Sequence, residues 1–279
     1  MKRSQRLKIV FIKTKIKITG LLSKKKAAQE LFTIFSTPYA TTQRNEEPKQ
    51  AEPLQFKLNG KKINGHCWNH PQQKKVLILH GFSSAAHKFD RYVAPLVKKG
   101  YEVLSFDAPA HGSSEGNTVN AIEYAAMIKK IIELYGPVES FIAHSFGGIA
   151  ISLVLESMPH DDTTRLVLIA PATETTSAID GAFKLFGIND AGIRKEFDNI
   201  INTISGHGPE WFSIRRAVKN SKAKILWLHD EDDDMTPLSD AIKVKEDNHP
   251  NIKFVITKGL GHRRIYHDAA VKKAVIDFL

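Results

Sequence analysis

Ala143-His144-Ser145-Phe146-Gly147-Gly148 follows directly on the apolar run Val138-Glu139-Ser140-Phe141-Ile142, and the reading of this stretch decides the fold. It places a serine on a sharp strand-to-helix turn, which lifts one hydroxyl clear of a sheet edge. The residues two before and two after such a serine must be small, because strand and helix backbones nearly collide there. Ala143 and Gly147 meet that demand. The next segment, Ile149 to Met158, is apolar nearly all round and reads as a buried helix behind the turn.

Outward from the turn, the pattern alternates. Leu54 to Leu58 and Ile63 to Trp68, joined through Asn59-Gly60, give a hairpin signal. Short apolar strands follow at 76–79, 101–106, 165–170, 225–228 and 252–256. Helical patterns lie between them at 89–99, 118–135 and after Pro237, with a last amphipathic helix ending at Leu279. The expected fold is therefore α/β: a mainly parallel, doubly wound sheet with an N-terminal hairpin. The segment 171–222 breaks the alternation with its own amphipathic pieces near 178–186 and 193–204. It reads as a helical lid insertion in a domain spanning 54–279, too long for a simple crossover.

Composition narrows the class. A hydrophobic share of 42% and a charged share of 25% suit a globular protein. The single Cys67 excludes a disulfide scaffold and reads as structural. The formal net charge of +10 is almost wholly local: residues 1–30 carry ten lysines and arginines against Glu30 alone. Residues 1–53 thus read as a basic extension and linker, with a short amphipathic helix at 27–37 ended by Pro38. The nearly neutral remainder argues against a nucleic-acid partner. Lys13, Lys15 and Lys17 interrupt the apolar residues of the tail, so no spanning helix is expected. A solvated extension is one expectation, and peripheral contact with an anionic membrane is the other. A cytoplasmic location is expected, since no secretory signal is legible.

Three further strings fall where chemistry at a raised serine needs them. Leu79-His80-Gly81-Phe82 ends the strand before the first helix. Acyl transfer builds negative charge on a carbonyl oxygen, so two backbone N–H groups must already point there. The expected donors are those of Phe146, directly after the serine, and Phe82. Leu228-His229-Asp230-Glu231-Asp232-Asp233-Asp234 ends a later strand with five acids to choose from. Gly259-Leu260-Gly261-His262 follows the last strand and offers a histidine. The order Ser, acid, His is one of the orders that builds a nucleophilic triad. The acid run lacks the glycine and terminal glutamate of a calcium loop, and no metal or cofactor is expected.

Over roughly residues 54–279 these strings resemble the alpha/beta-hydrolase superfamily, near its esterases, lipases and peptidase-like hydrolases. Asp107-Ala108-Pro109-Ala110-His111-Gly112-Ser113-Ser114 is similar to that superfamily's Asp-x-Pro-Gly-His-Gly-x-Ser loop, with Ala110 in place of a glycine. Ala143 likewise stands where glycine is commoner. The resemblance implies Ser145 as nucleophile, His262 as general base and then acid, and Asp233 as the orienting acid. Asp233 is chosen because it lies four residues before Pro237; Asp232 is the runner-up, and Asp230 stands where glycine is common. His80 and His111 read as braces of their turns, and His267 as facing solvent.

The chemistry expected is cleavage of a small-molecule carboxylic ester or thioester through an acyl-enzyme. His144, Phe183, Phe186, Trp211 and Phe212 are the candidate substrate-pocket residues. A ligand-binding protein on the same fold, with little or no hydrolysis, is the alternative.

Overall fold

The computed structural model describes residues 3–39, 42–44 and 46–279. Residues 1 and 2 of the basic extension, and 40, 41 and 45 of the expected linker, lie outside them. Among the described residues the strands are β1 (Ala51–Leu58), β2 (Lys61–Trp68), β3 (Lys75–Leu79), β4 (Glu102–Phe106), β5 (Ser140–His144), β6 (Arg165–Ile169), β7 (Lys224–Asp230) and β8 (Ile252–Thr257). The helices are α1 (Arg3–Leu22), α2 (Lys24–Ser36), α3 (Val93–Lys98), α4 (Ala121–Tyr135), α5 (Phe146–Ser157), α6 (Thr175–Phe186), α7 (Ala191–Ser205), α8 (Ile214–Ala217), α9 (Leu238–Glu246), α10 (Gly261–Arg264) and α11 (Ala269–Phe278).

One sheet holds all eight strands in the order β1-β2-β4-β3-β5-β6-β7-β8. β2 runs antiparallel to β1 and β4, and every other neighbouring pair is parallel. The central strands are buried on both faces, which is why they read as unbroken apolar runs. β1 and β2 turn through Asn59 and Gly60, both at positive φ, as a two-residue hairpin requires. β1 begins at Ala51, three residues before the Leu54 expected, because Ala51 to Pro53 still pair with Trp68 to His66.

The chain divides into two compact units. The larger, residues 38–173 and 213–279, contains the sheet. Its core is built from Val76, Ile78, Val103, Ile142, Val167 and Leu226 of the strands, covered by Phe89, Leu96, Val271 and Val275. Helix α5 packs very close to the end of β3. A Cβ on Gly147 would stand 2.8 Å from the Leu79 carbonyl oxygen and 2.9 Å from that of His80. Both contacts are backbone and neither can yield cheaply. Gly147→Ala is therefore expected to destabilise the protein by about 2 kcal/mol, read as a lowered urea midpoint at constant m-value.

The smaller unit takes its described residues from 3–37 and 174–212, so the basic segment and part of the segment after β6 fall in one compact body. α1 and α2 are helices, and they pack with α6 and α7. Ile16, Ala27, Ala28 and Leu31 are fully buried, as are Ile179, Ile193 and Phe197 apart from traces. The Phe197 ring receives the edges of Phe32, Phe35 and Phe183 at 5.5–5.7 Å between centroids. Gly20 lets α1 approach Ile193, whose Cδ1 would stand 2.8 Å from an added Cβ. Asp190 caps α7 by accepting from the Gly192 and Ile193 amides and also pairs with Lys24. The apolar residues needed for this packing are few and spread between lysines, so neither a helical nor a strand period stands out in residues 1–26.

Candidate active site

Ser145 sits between β5 and α5 at φ 52°, ψ −118°, a conformation that side-chain-bearing residues rarely adopt. The turn is fixed from both sides. The Ser145 amide donates to the Ile169 carbonyl at 3.1 Å, and its own carbonyl accepts from Gly148 at 2.9 Å and Ala172 at 3.0 Å. Gly81 has to be glycine here, since a Cβ would meet the Ser145 Cβ at 2.9 Å and the His144 Nδ1 at 2.8 Å.

From this turn a hydrogen-bonded chain leads away across the sheet's carboxyl edge. Ser145 Oγ lies 3.0 Å from His262 Nε2, and His262 Nδ1 lies 2.9 Å from Asp233 Oδ2. With Nδ1–H donating to the carboxylate, Nε2 is left with a lone pair that accepts the serine proton. Asp233 is itself held at both oxygens. Oδ1 accepts from the Met235 and Thr236 amides at 2.9 and 2.8 Å, and Oδ2 accepts the Thr236 hydroxyl at 2.8 Å. Burial opposes ionisation of this carboxyl, but the hydrogen bond and charge of His262 and the two amides outweigh it and hold its pKa below the ordinary range.

The amides of Phe82 and Phe146 have no acceptor among the described residues. Their rings meet edge to face at 5.7 Å and 88°, so the two loops that carry them adjoin. A neutral histidine braces each end of the Phe82 loop. His80 Nδ1–H donates to the Gly81 carbonyl at 2.8 Å, and Nε2 accepts from the Ala108 amide at 2.9 Å. His111 Nδ1–H donates to the Pro109 carbonyl at 2.9 Å, and Nε2 accepts from the Ser83 amide at 2.9 Å. Burial lowers the pKa of both, and the neighbouring His80 helps to bring His111 down to about 3.

These braces set an acid limit on stability. An unfolded histidine binds a proton below about pH 6.5, whereas folded His111 stays neutral until about 3. The stabilisation is thus complete above 6.5 and lost progressively as pH falls through that window, at about 1.4 kcal/mol per pH unit per such histidine. The depressed Asp233 adds a second stabilisation, present above its unfolded value of about 3.9 and lost as the pH falls below it. The urea midpoint should be level from pH 8 to 7 and fall below about 6.5; a flat profile down to pH 4 would contradict the neutral assignments.

Two supporting residues were not foreseen. Asp230, which stands where a glycine was expected, is fully buried at the end of β7. Its carboxylate accepts from the amides of Asp232 (3.0 Å), Leu260 (3.1 Å) and Gly261 (2.8 Å) and from the Thr257 hydroxyl (2.6 Å). It ties the loop that presents His262 to the strand that presents Asp233. Asp230→Ala strands these donors, with an expected loss of about 3 kcal/mol in stability. The loosened histidine should also lower turnover about 100-fold. Asp230→Asn, still an acceptor, should recover part of both in parallel unfolding and kinetic measurements. Tyr39 is the other: its amide donates to Ser83 Oγ at 3.0 Å, and its hydroxyl accepts from Arg263 at 2.8 Å. It links the Phe82 loop to the residue after His262, and no sequence signal marks it.

The pocket expectations fare differently. His144 points into the protein interior. It is buried, its Nε2–H donates to the His262 carbonyl at 3.1 Å, and its ring packs on His262 and Tyr266. Strand alternation turns it away from the serine that follows, and it supports the His262 backbone instead. Phe183, Phe186 and Phe212 are buried in the smaller unit. Phe183 is packed against Phe197 under the Arg194 guanidinium. Trp211 is half-buried and stacks on His207 at 4.3 Å. Asp232, the runner-up acid, is exposed and accepts from the Gly259 amide at 2.9 Å.

One cluster has donors of a metal-binding type: Cys67, His70 and Glu102 bring ligand atoms within 4.8 Å of one another. Its chemistry does not fit a cation. Lys75 Nζ already lies 3.2 Å from the Glu102 carboxylate, which also accepts from His70 and the Gln72 amide. Burial, with Glu102 beside it, pushes the Cys67 thiol up to about 12.

The sequence model of the alpha/beta hydrolase family matches residues 76–274. The chain belongs to that family. The match runs from β3 to α11 and takes in Ser145, Asp233 and His262. The Bacillus subtilis (strain 168) protein named Uncharacterized hydrolase YugF is 27% identical over 106 residues, which are 36% of this chain and 38% of that protein. The chain thus matches well under half the length of this relative. Among solved structures, the Pyrococcus furiosus esterase Pf2001 superposes with a TM-score of 0.65 at 20% identity, over 88% of this chain and 97% of that one. Est1E of Butyrivibrio proteoclasticus, with ferulic acid bound, gives 0.61 at 18% identity over 81% and 97%. These last two likenesses concern the fold of the hydrolase family.

Proposed function

We propose that this protein is a serine hydrolase that cleaves a carboxylic ester or thioester through an acyl-enzyme. The observation that carries the reading is the unbroken chain from Ser145 Oγ through His262 to Asp233, with links of 3.0 and 2.9 Å. A serine hydroxyl is inert at neutral pH unless a base within hydrogen-bond reach takes its proton. In the proposed reaction Ser145 Oγ bonds to the acyl carbon as its proton passes to His262 Nε2. The carbonyl oxygen becomes an oxyanion and accepts from the Phe82 and Phe146 amides. Collapse breaks the bond to the alcohol or thiol, which leaves with the proton from His262. Water then repeats the sequence on the acyl-enzyme and releases the acid. Asp233 holds the His262 tautomer and stabilises the imidazolium in both halves.

The half-buried rings of Phe82 and Phe146 beside the candidate donors favour an uncharged acyl or aryl group. The esterase names of the structural neighbours agree with an ester substrate. The test is a panel of nitrophenyl esters and acyl thioesters of increasing chain length, followed from the first turnover. A burst of leaving group equal to the enzyme supports the acyl-enzyme. Ligand affinity without turnover across the panel would favour a binding protein instead.

A further inference from the structure

α1 is apolar on two opposite faces, and packing uses only one of them. Ile16 and Gly20 are buried within the smaller unit, with Ile9 and Ile12 half-buried beside them. Leu7, Val10, Phe11, Ile18, Leu21 and Leu22 point the other way, at exposures from 57% for Ile18 to 86% for Leu22. At 3.6 residues per turn these six positions fall within an arc of about 120°. Single exposed leucines are ordinary, whereas six large apolar side chains in one stripe mark an interaction surface.

Charge identifies the occupant. The exposed Lys17 borders the stripe on one side and Lys15, which pairs with Glu30 at 3.3 Å, borders it on the other, and the exposed Lys25 and Lys26 follow its end at the start of α2. We propose that α1 lies in the headgroup region of an anionic membrane, its apolar stripe inserted among the acyl chains and its lysines against acidic headgroups. A second copy of this chain fits less well, because pairing two such stripes would press their lysine borders together. Crossing the bilayer is not the mode, since no described helix is long and apolar enough to span one. The smaller unit would then be the membrane-bound part, joined to the sheet unit at residues 37–38, 173–174 and 212–213. This proposal stands apart from the hydrolase reading and does not depend on it.

The experiment is co-sedimentation of the full-length chain with vesicles of phosphatidylcholine alone or with about 30% phosphatidylserine. The expected result is at least about tenfold tighter partitioning to the anionic vesicles. Phe11→Ser combined with Leu21→Ser should weaken that binding about tenfold or more. Both residues are largely exposed, so the helical circular dichroism should be unchanged. A second variant, Lys17→Gln with Lys25→Gln, leaves the apolar stripe intact and should lose most of the preference for phosphatidylserine. Failure of the wild-type chain to sediment with anionic vesicles would overturn the proposal, as would equal binding by the serine double variant. A wild-type dimer in light scattering that the serine variant dissolves, with no vesicle binding by either, would assign the stripe to a second copy.

Discussion

Ser145→Ala is expected to lower kcat on an activated ester by at least about 10⁴-fold, with the fold intact. The loss is large because the bond that must form to the acyl carbon has no other hydroxyl to supply it. In the proposed triad the histidine and carboxylate act as one unit with the serine, so what remains is the contribution of binding and the oxyanion donors alone. Stability should barely change, since alanine meets the same backbone restriction at φ 52°. Ser145→Gly separates the two roles. It should be equally inactive yet more stable than wild type by about 1 kcal/mol, because glycine relieves the strained turn. Parallel kinetics and urea unfolding read both. An active Ser145→Ala variant would mean that another group performs the chemistry.

Asp233→Asn is the second expected loss, about 10⁴-fold in kcat near neutral pH. The surroundings dictate how the amide will sit. The Met235 and Thr236 amides donate to Oδ1, so the asparagine oxygen is kept at that position and its NH2 takes the place of Oδ2. The NH2 group then donates to His262 Nδ1. The histidine proton is driven to Nε2, where the lone pair that should accept the Ser145 proton is lost. Shape and packing hardly change, so KM should move little while kcat collapses. A variant that keeps more than about a tenth of wild-type kcat would show that the carboxylate does not set the tautomer.

Much of the fold was legible because buried parallel strands and amphipathic helices leave different periods, and the tight serine turn admits few residues. The strings around Ser145, Asp233 and His262 were legible for a related reason: each closes a strand, and parallel strands bring their carboxyl ends to one edge. Support from distant residues was not legible. Asp230 looks like a substituted glycine, since most of its partners are backbone amides, those of Leu260 and Gly261 lying 30 and 31 residues onward, and these carry no side-chain signature. His144 borders the serine in sequence, yet alternation along β5 turns it the other way, into the protein. The first helices read as a charged extension because their burial is supplied by α6 and α7, far along the chain. Lysines between isoleucines hide a helix that is apolar on two faces, where a single-face pattern is the signal sought.

The most direct measurement is labelling of the intact protein with a fluorophosphonate, with the modified residue mapped by mass spectrometry in wild type and in His262→Ala. An activated serine attacks phosphorus and expels fluoride, whereas an ordinary serine does not react. Modification at Ser145 alone is expected, slowed by about 10³-fold or more when His262 is removed. A folded wild-type protein left unmodified at Ser145, or one modified equally fast without His262, would contradict the proposed triad.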